Sequence, residues 1–350
     1  MIPYGKHFID EEDINAVIKV LKSDNLTQGP LIDIFEQEVS KYVGAKYAVA
    51  VTSCTAGLHL ASIVSKIHEG KLLLTSPITF ASTANSALFS GGEVIFADID
   101  SSTINISIDS IKKAILENEV HAIAPVHFGG LPCDMKKIKE SVKNAGVKIY
   151  EDAAHAFGAS YSDGSKVGSC KYSDMTVFSF HPVKSIATGE GGIITTNSEL
   201  IYKQLKRLRN HGLEKNKDNF KLKQNSLTDN LVNPWYYEMQ ELGYNYRISD
   251  IQCALGLSQL KKIDKFIKKR KELAKKYDLA FSNLKNCVPA QKDMRDLSSN
   301  HLYILQINFK KLGKTRANLM NEFKKVEIMT QVHYIPVMTH PYFQKNNYKI

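Results

Sequence analysis

Short apolar runs alternate with longer amphipathic stretches between residues 46 and 197. The apolar runs predict seven strands, at residues 47–52, 72–76, 94–98, 122–126, 147–151, 176–180 and 193–196. The amphipathic stretches predict five helices, at residues 57–66, 83–89, 108–117, 133–144 and 199–209. Continuously apolar strands separated by helices are typical of an α/β fold, in which a mostly parallel sheet is covered by helices on both faces.

The pattern changes after residue 214. Residues 215–234 are rich in Lys and Asn and predict a long surface loop. Ser249 and Gln252 then fit a capping box, which predicts a long helix over residues 249–284 with a bend. Beyond it, the pattern predicts a strand at 301–309, a helix at 314–324 and a strand at 331–335. We therefore expect a large domain over residues 1–247 and a small C-terminal α+β domain over 248–350, with the long helix linking them.

Composition narrows the class of protein. The chain has 350 residues, of which 43% are hydrophobic and 23% charged, which excludes a disordered or fibrous chain. Its apolar runs are far shorter than the roughly 18 residues of a membrane span, and no secretory signal is visible. We therefore expect a cytoplasmic protein without a membrane partner. The cysteines are odd in number and scattered, which predicts reduced thiols and no metal site; they are Cys54, Cys133, Cys170, Cys253 and Cys287.

The net charge of +10 raises the hypothesis of a nucleic-acid-binding protein. Much of the charge lies in residues 261–276, where nine basic and two acidic residues surround apolar ones at helical spacing. This pattern favours the solvated face of a helix, and no nucleic-acid-binding motif accompanies it. We expect no nucleic-acid partner, although a non-catalytic nucleic-acid-binding regulator stays the alternative from another functional class.

Three predicted strand ends carry residues suited to chemistry. Asp152 ends one apolar strand, Lys184 follows another beside a Gly-rich turn, and Ser53-Cys54-Thr55 joins the first strand to a helix. Each feature alone has an ordinary structural interpretation: Asp152 as a helix cap, Lys184 as a surface lysine, and Ser53-Cys54-Thr55 as a turn between strand and helix. Their joint placement matters because parallel sheets bind ligands at the carboxyl ends of their strands.

Together these residues predict a site for pyridoxal 5'-phosphate (PLP). This cofactor needs a lysine for covalent attachment, a carboxylate for its pyridine nitrogen and an anion cradle for its phosphate. Lys184, Asp152 and the turn after the first strand supply these groups. Ser179 offers a further hydroxyl for the phosphate, and Phe80 offers a platform for the ring.

Several longer segments resemble the DegT family of sugar-nucleotide aminotransferases over essentially the whole chain. The matching segments are Leu26-Thr27-Gln28-Gly29, Val126-His127-Phe128-Gly129-Gly130, Glu151-Asp152-Ala153-Ala154-His155-Ala156-Phe157-Gly158-Ala159, Phe178-Ser179-Phe180-His181-Pro182-Val183-Lys184, Gly189-Glu190-Gly191-Gly192, and Leu242-Gly243-Tyr244-Asn245-Tyr246-Arg247 with Ser249-Asp250-Ile251-Gln252. Two further segments, around Ser298–Tyr303 and Gln331–Tyr334, resemble the family's aminotransferases of pseudaminic acid biosynthesis. The resemblance implies the type I PLP-dependent aminotransferase fold.

The resemblance also implies a role for each matching position. Lys184 would carry PLP, Asp152 would bind the pyridine nitrogen, and His155 would lie beside the ring. Asn245 would reach the phosphate in a neighbouring subunit, which implies a homodimer with shared active sites. The phosphate would be bound within the chain by Ser53, Cys54, Thr55 and Ser179. The sugar-nucleotide pocket would be lined by Tyr4, Leu26, Thr27, His181, Gln331, Val332, His333 and Tyr334.

The implied reaction moves the amino group of L-glutamate to C4 of a UDP-linked 4-keto-6-deoxyhexose, as in pseudaminic acid-type pathways. A C3-amino or perosamine-type sugar aminotransferase is the nearer rival. The sugar dehydratases of the family carry histidine in place of the lysine, so Lys184 argues against that activity. A PLP lyase of sulfur amino acids would share the fold. Members of the family continue beyond the segment matching Pro341–Gln344, so the small domain is expected to be truncated at its C-terminal end.

Overall fold

A seven-stranded sheet lies at the centre of the computed structural model, which describes residues 1–143 and 145–345. Its strands are β1 (Tyr47–Val51), β2 (Leu72–Thr75), β3 (Glu93–Phe96), β4 (Val120–Ala124), β5 (Lys148–Asp152), β6 (Met175–Ser179) and β7 (Gly192–Thr196). They lie in the order β1-β7-β6-β5-β4-β2-β3. Strand β7 is antiparallel to both neighbours, and the other pairings are parallel. The prediction of an α/β fold with a mostly parallel sheet is therefore confirmed.

Helices cover both faces of this sheet. The α-helices of the described residues are α1 (Glu11–Leu21), α2 (Pro30–Val43), α3 (Cys54–Val64), α4 (Ala81–Phe89), α5 (Ile108–Glu117), α6 (Met135–Ser141), α7 (Glu199–Arg209), α8 (Asp250–Leu260), α9 (Ile263–Phe281), α10 (Phe309–Leu312), α11 (Arg316–Lys325) and α12 (Pro341–Lys345), of which α10 and α11 bury no residue. Side chains of β6 alternate between two cores: Val177 packs with α3, α4 and α7, and Phe178 packs with α2, α5, α6 and α8. Burial on both faces explains why the strands are continuously apolar.

The local pattern located these central elements well. All seven predicted strands are present to within two residues at each end, and the predicted helices 108–117 and 199–209 match α5 and α7. The helix predicted at 133–144 is shorter and corresponds to α6, and Asn144 lies outside the described residues.

Two N-terminal helices were not predicted. Helix α1 begins with a capping box in which Asp10 accepts from the amide of Asp13 and the Asp13 side chain accepts from the amide of Asp10. Helix α2 begins at Pro30, and the amides at its start are capped by a residue that is distant in the sequence. The buried Asp250 carboxylate accepts from the amides of Gly29 at 2.8 Å and Leu31 at 3.1 Å. This cap joins α2 to the start of α8.

The loop predicted at residues 215–234 lacks long elements, as expected. It contains short helical turns, and the strand pairs in and around it are two residues long: β8 (Leu213–Glu214) with β11 (Glu238–Met239), and β9 (Leu227–Thr228) with β10 (Leu231–Val232). The predicted capping box at α8 is present, because Ser249 Oγ accepts from the Gln252 amide and the Ser249 amide donates to Gln252 Oε1 at 3.0 Å. The predicted bend is also present, since α8 ends at Leu260 and α9 begins at Ile263.

The C-terminal strands differ from their prediction. Strand β13 (Leu305–Ile307) pairs with β12 (Cys287–Pro289). Only these three residues of the predicted strand 301–309 therefore form a strand. The residues before β13 bond elsewhere: the amide of Leu302 donates to the carbonyl of Gly129 at 3.1 Å. This contact ties the start of the segment to the turn after β4 instead of to β12.

The predicted strand at residues 331–335 is wrong. The segment is irregular and pairs with no strand among the described residues, although Val332 and Tyr334 alternate with polar residues. Its rings contact Tyr4 and His155, so packing against these side chains fixes the segment in place of strand pairing. The helix predicted at 314–324 is present as α11.

The division into domains at residue 247 stays a prediction. Helix α8, which we place in the small domain, packs against α1 and α2 of the N-terminal part. Within residues 1–143 and 145–345, no helix is both long enough and apolar enough to cross a membrane. The predicted C-terminal truncation concerns the end of the chain, and residues 346–350 lie outside the described residues.

Candidate active site

The central sheet brings three of the predicted motifs to one edge. Val51 at the end of β1 pairs with Gly192 on β7, and Gly192 pairs with Ser179 at the end of β6. Asp152 ends β5 and pairs with Val177 on β6. The carboxyl ends of β1, β5 and β6 therefore lie together, as expected for a ligand site of a parallel sheet.

Gly192 allows the helix after β1 to approach this edge. A Cβ atom at this position would lie only 2.7 Å from the backbone nitrogen of Cys54 and from backbone atoms of Ser53. Any larger residue would push the start of α3 away from β7. The glycine is therefore required for the close contact between the two motifs.

Asp152 is a buried carboxylate, 4% exposed, that points toward α3 and α4. Its Oδ2 accepts from the hydroxyl of Thr83 at 2.6 Å, and its Oδ1 accepts from the amide of Ala154 at 3.0 Å. Across residues 1–143 and 145–345, no cation forms an ion pair with it. A buried carboxylate is costly without a cationic partner, so Asp152 is suited to a protonated ring nitrogen of a ligand.

Lys184 lies in the loop between β6 and β7 and is partly buried. Its amide donates to the carbonyl of His181 at 2.8 Å. Burial lowers the pKa of Lys184, and the nearby Cys54 and Asp152 oppose this shift only in part. A lysine with a lowered pKa holds more neutral amine, which is the form that attacks carbonyl compounds.

The start of α3 offers an anion cradle beside Lys184. Ser53 caps the helix, since its Oγ accepts from the Ala56 amide at 3.1 Å. The amides of Cys54 and Thr55 are in the first turn and have no acceptor within the helix, so they are free to bind an anion. Ser179, at the end of β6, is buried at 7% exposure. Burial raises the pKa of the Cys54 thiol well above its usual range, so the thiol is neutral.

His155 is held in one tautomer. Its Nδ1 accepts from the amide of Gly129 at 3.3 Å, so the proton is on Nε2, which lies 3.1 Å from the hydroxyl of Tyr334. Burial, with the charges of Lys184 and His333, keeps the pKa of His155 well below its usual value. His155 is therefore a neutral, oriented ring next to the cluster formed by Asp152, Cys54 and Lys184.

Several residues predicted for the substrate pocket meet at this ring. The Tyr334 ring lies 6.2 Å from that of His155 and 6.1 Å from that of Phe80, which is 61% exposed. Tyr4 bonds to Nε2 of His333. Burial raises the pKa of Tyr4 to about 12, so its phenol is neutral at ordinary pH.

Other predicted residues lie apart from this cluster. Leu26 and Thr27 are exposed and pair with the start of α8, through a bond from the Asp250 amide to the Leu26 carbonyl and a bridge to Ser249. Asn245 is exposed beside Asn210. The side chains of His181 and Gln331 are exposed, and Val332 is partly buried.

The opposite face of β5 carries a second polar cluster. Glu151 Oε2 accepts from Nε2 of His127 at 2.6 Å and from the hydroxyl of Tyr161 at 2.5 Å, and Glu151 Oε1 accepts from the hydroxyls of Ser173 and Thr176. The carboxylate and the imidazole are completely buried. Because neighbouring residues of a strand face opposite sides, this cluster fixes the strand that presents Asp152 without touching the site.

A family comparison spans residues 7–350 and matches the DegT/DnrJ/EryC1/StrS aminotransferase family. The chain belongs to this family. The Bacillus subtilis (strain 168) spore coat polysaccharide biosynthesis protein SpsC is 41% identical over 98% of this chain and 86% of its own length. A Campylobacter jejuni (strain 81-176) protein named UDP-4-amino-4,6-dideoxy-N-acetyl-beta-L-altrosamine transaminase is 38% identical over 99% of this chain and 86% of its length.

Solved structures of the family share the fold. Helicobacter pylori PseC, described as an aminotransferase involved in the biosynthesis of pseudoaminic acid, superposes with a TM-score of 0.88 at 32% identity, over 98% of this chain and 87% of that chain. Spr1654 of Streptococcus pneumoniae, in its PLP form, superposes with a TM-score of 0.86 at 26% identity, over 99% and 88% of the two chains. DegT-family aminotransferases use PLP, so the predicted enzyme class and cofactor are confirmed and the chain is a PLP-dependent sugar aminotransferase.

The sequence did not reveal three residues of this site. Thr83 bonds Asp152, His301 lies with its ring 4.6 Å from that of His155, and Arg270 bonds the carbonyl of His301. Thr83 and His301 have no local signal, because they reach the site only through the fold. Arg270 does have a local signal, because it occupies an apolar position in the pattern of the predicted helix 249–284.

Proposed function

We propose that this chain transfers the amino group of L-glutamate to C4 of a UDP-linked 4-keto-6-deoxyhexose, in a cytoplasmic pathway of the pseudaminic acid type. One observation carries the amino-transfer chemistry: the buried Asp152 carboxylate lacks a cationic partner and lies within electrostatic range of the desolvated Lys184. The names of the Campylobacter jejuni relative and of Helicobacter pylori PseC support the choice of sugar.

The residues present fit PLP. We assign Lys184 to hold the cofactor, Asp152 to its ring nitrogen, and His155 to a place beside the ring. The phosphate is assigned to the start of α3, with Ser53, Cys54 and Thr55, and to Ser179. When bound, PLP supplies an electron sink for the carbon that loses its proton.

Proton transfer in both halves of the reaction falls to Lys184. Its lowered pKa favours the neutral amine, which would take a proton from Cα of glutamate and return one at C4 of the sugar. Asp152 would face the ring nitrogen and hold a proton there, because two charges of opposite sign stabilise each other in a buried site. Neutral His155 adds no competing charge.

The substrate pocket in this proposal is built around Tyr4, Phe80 and the segment from Gln331 through Val332 and His333 to Tyr334. The contacts of Tyr4 with His333 and of Tyr334 with His155 support its position. Leu26, Thr27 and His181 are assigned to its outer part, where their exposure leaves them free to contact a long ligand.

We further propose a homodimer in which Asn245 reaches the cofactor phosphate of the other subunit. Asn245 is exposed, and nearby apolar side chains are exposed as well, among them Leu242 at 75% and Met239 at 66%. Exposed apolar side chains gathered near one segment are typical of an interface.

The experiment uses the PLP-loaded protein, glutamate and a set of UDP-, GDP- and dTDP-linked 4-keto-sugars. The proposal predicts that glutamate converts the PLP spectrum to that of pyridoxamine phosphate, and that the UDP-linked sugar reverses the change and gains an amine at C4. Lys184→Ala and Lys184→Arg should lose both half-reactions. No spectral change with glutamate would contradict amino transfer, whereas an amine at C3 or a preference for GDP-sugars would contradict the substrate assignment.

A further inference from the structure

Arg270 lies on the buried side of its helix, where the neighbouring positions are apolar. Helix α9 buries Ile263, Ile267 and Ala274, and Arg270 lies on the same stripe at the helical spacing of these residues. The sequence pattern predicts a solvated face for the basic residues between 261 and 276. Arg270 instead points inward and is partly buried.

The two most buried arginines show what an inward guanidinium requires. Arg209 bonds the carboxylate of Glu36 at 2.5 Å, and Arg295 bonds both oxygens of Asp278 at 3.0 Å. Arg270 has no such partner. In the described part of the chain, its Nη1 donates to the carbonyl of His301 at 3.2 Å, and no carboxylate is in ion-pair range. A desolvated cation without a counter-charge is costly, so its retention here points to an anion from outside the chain.

The position of Arg270 connects it to the candidate active site. The ring of His301, whose carbonyl it contacts, lies 4.6 Å from the ring of His155. The charge of Arg270 also acts on Tyr4, where it opposes the burial that raises the pKa of the phenol. His301 therefore lies between the Arg270 guanidinium and the His155 ring, which we place beside PLP.

We propose that Arg270 binds a carboxylate of the amino donor. The inference rests on the proposed function, because it presumes a dicarboxylic donor such as L-glutamate. The planar guanidinium fork matches a carboxylate with two parallel hydrogen bonds. In a small amino donor the carboxylates are only a few bonds from the reacting carbon, whereas the diphosphate of a nucleotide sugar is separated from the reacting C4 by the whole hexose ring. The short path from Arg270 to His155 therefore favours the donor over the nucleotide.

The test measures binding and not turnover. Calorimetry on the PLP-loaded protein uses glutarate, an unreactive dicarboxylate, in one arm and UDP in the other. Arg270→Gln should weaken glutarate binding by at least about tenfold, and Arg270→Lys, which keeps the charge but loses the fork, should weaken it less. UDP affinity should stay unchanged. Lys268→Gln is the matched control, because it removes one positive charge from the exposed face of the same helix.

Three outcomes overturn the inference: unchanged glutarate binding in Arg270→Gln, an equal loss in Lys268→Gln, or a loss confined to UDP, which would assign the site to the nucleotide. Thermal unfolding provides a separate readout. If Arg270 serves the ligand, Arg270→Gln is as stable as the wild type or more so, because an unpaired cation is removed; a purely structural role predicts lower stability. Failure of the proposed function is distinguishable, since wild-type protein would then show no spectral change with glutamate.

Discussion

The carboxylate of Glu151 provides the sharpest test of how the strand that presents Asp152 is held. It is completely buried and accepts four side-chain hydrogen bonds, from His127, Tyr161, Ser173 and Thr176. Glu151→Ala removes the acceptor of all four donors and leaves a cavity. Glu151→Gln keeps the volume and one oxygen, so His127 and Tyr161 retain their acceptor while the two small hydroxyls rotate to accept from the new amide.

The expected magnitudes follow from these contacts. Removing one partner of a buried charged cluster costs about 3–5 kcal/mol, which we expect for Glu151→Ala. Glu151→Gln loses charge-assisted bonds, and the hydroxyls of Ser173 and Thr176 lose their acceptor but can accept from the new amide, so we expect the smaller cost of about 1–3 kcal/mol. Burial would raise the pKa of Glu151, but the bonds from His127, Ser173 and Tyr161 hold it below its usual value.

The shifted pKa gives the loss a pH dependence. A carboxyl whose pKa is lower in the folded state stabilises the protein fully above its unfolded pKa of about 4.3, and this stabilisation disappears as the pH falls through the folded value. The difference between wild type and Glu151→Gln should therefore be largest near neutral pH and shrink below about pH 4.

Urea unfolding followed by far-ultraviolet circular dichroism, at one fixed protein concentration, measures these differences. Asp152→Asn is the matched control, since Asp152 is the next residue and faces the other side of the strand. It should disturb amino transfer far more than folding. A loss of less than about 1 kcal/mol in Glu151→Ala would refute the view that this cluster anchors β5.

Three further predictions concern other contacts. Gly192→Ala should destabilise the protein by about 1–3 kcal/mol and speed the loss of PLP on dialysis, because its Cβ would meet the backbone nitrogen of Cys54; unchanged PLP retention would contradict this. Asp250→Ala should cost about 1–2 kcal/mol in urea unfolding by uncapping α2, and a value near zero would show that the cap is dispensable. His155 should be neutral, with its proton on Nε2, in nitrogen-15 spectra at about pH 6.5, where roughly half of free imidazoles are charged, because burial and Lys184 lower its pKa; a half-charged ring at that pH would contradict the lowered pKa.

Local patterns predicted the central sheet because each strand is a short apolar run bounded by polar residues. The site residues Asp152, Ser179 and Ser53 could be predicted for the same reason, because they lie at or just after the ends of such runs. Helix α1 carries a local signal as well, because Asp10 and Asp13 have the spacing of the capping box that begins it. These features depend on residues close together in the chain.

The remaining features depend on distant pairs. The hydroxyl of Thr83 reaches Asp152 across 69 residues, and that of Tyr334 reaches His155 across 179 residues. The local pattern predicts a strand over residues 331–335, but no strand of the described residues pairs with it. Tertiary packing decides whether a polar side chain faces the site or the solvent, and the local sequence pattern carries no information about that packing.

Transfer of nitrogen from donor to sugar tests the central claim most directly. PLP-loaded protein is given nitrogen-15 L-glutamate, freed of excess donor and then mixed with one equivalent of a UDP-linked 4-keto-6-deoxyhexose. The account predicts nitrogen-15 at C4 of the sugar in an amount equal to the active sites, and none with Lys184→Ala. A sugar that stays unaminated after wild-type protein has reacted with glutamate, or label at another carbon, would contradict it.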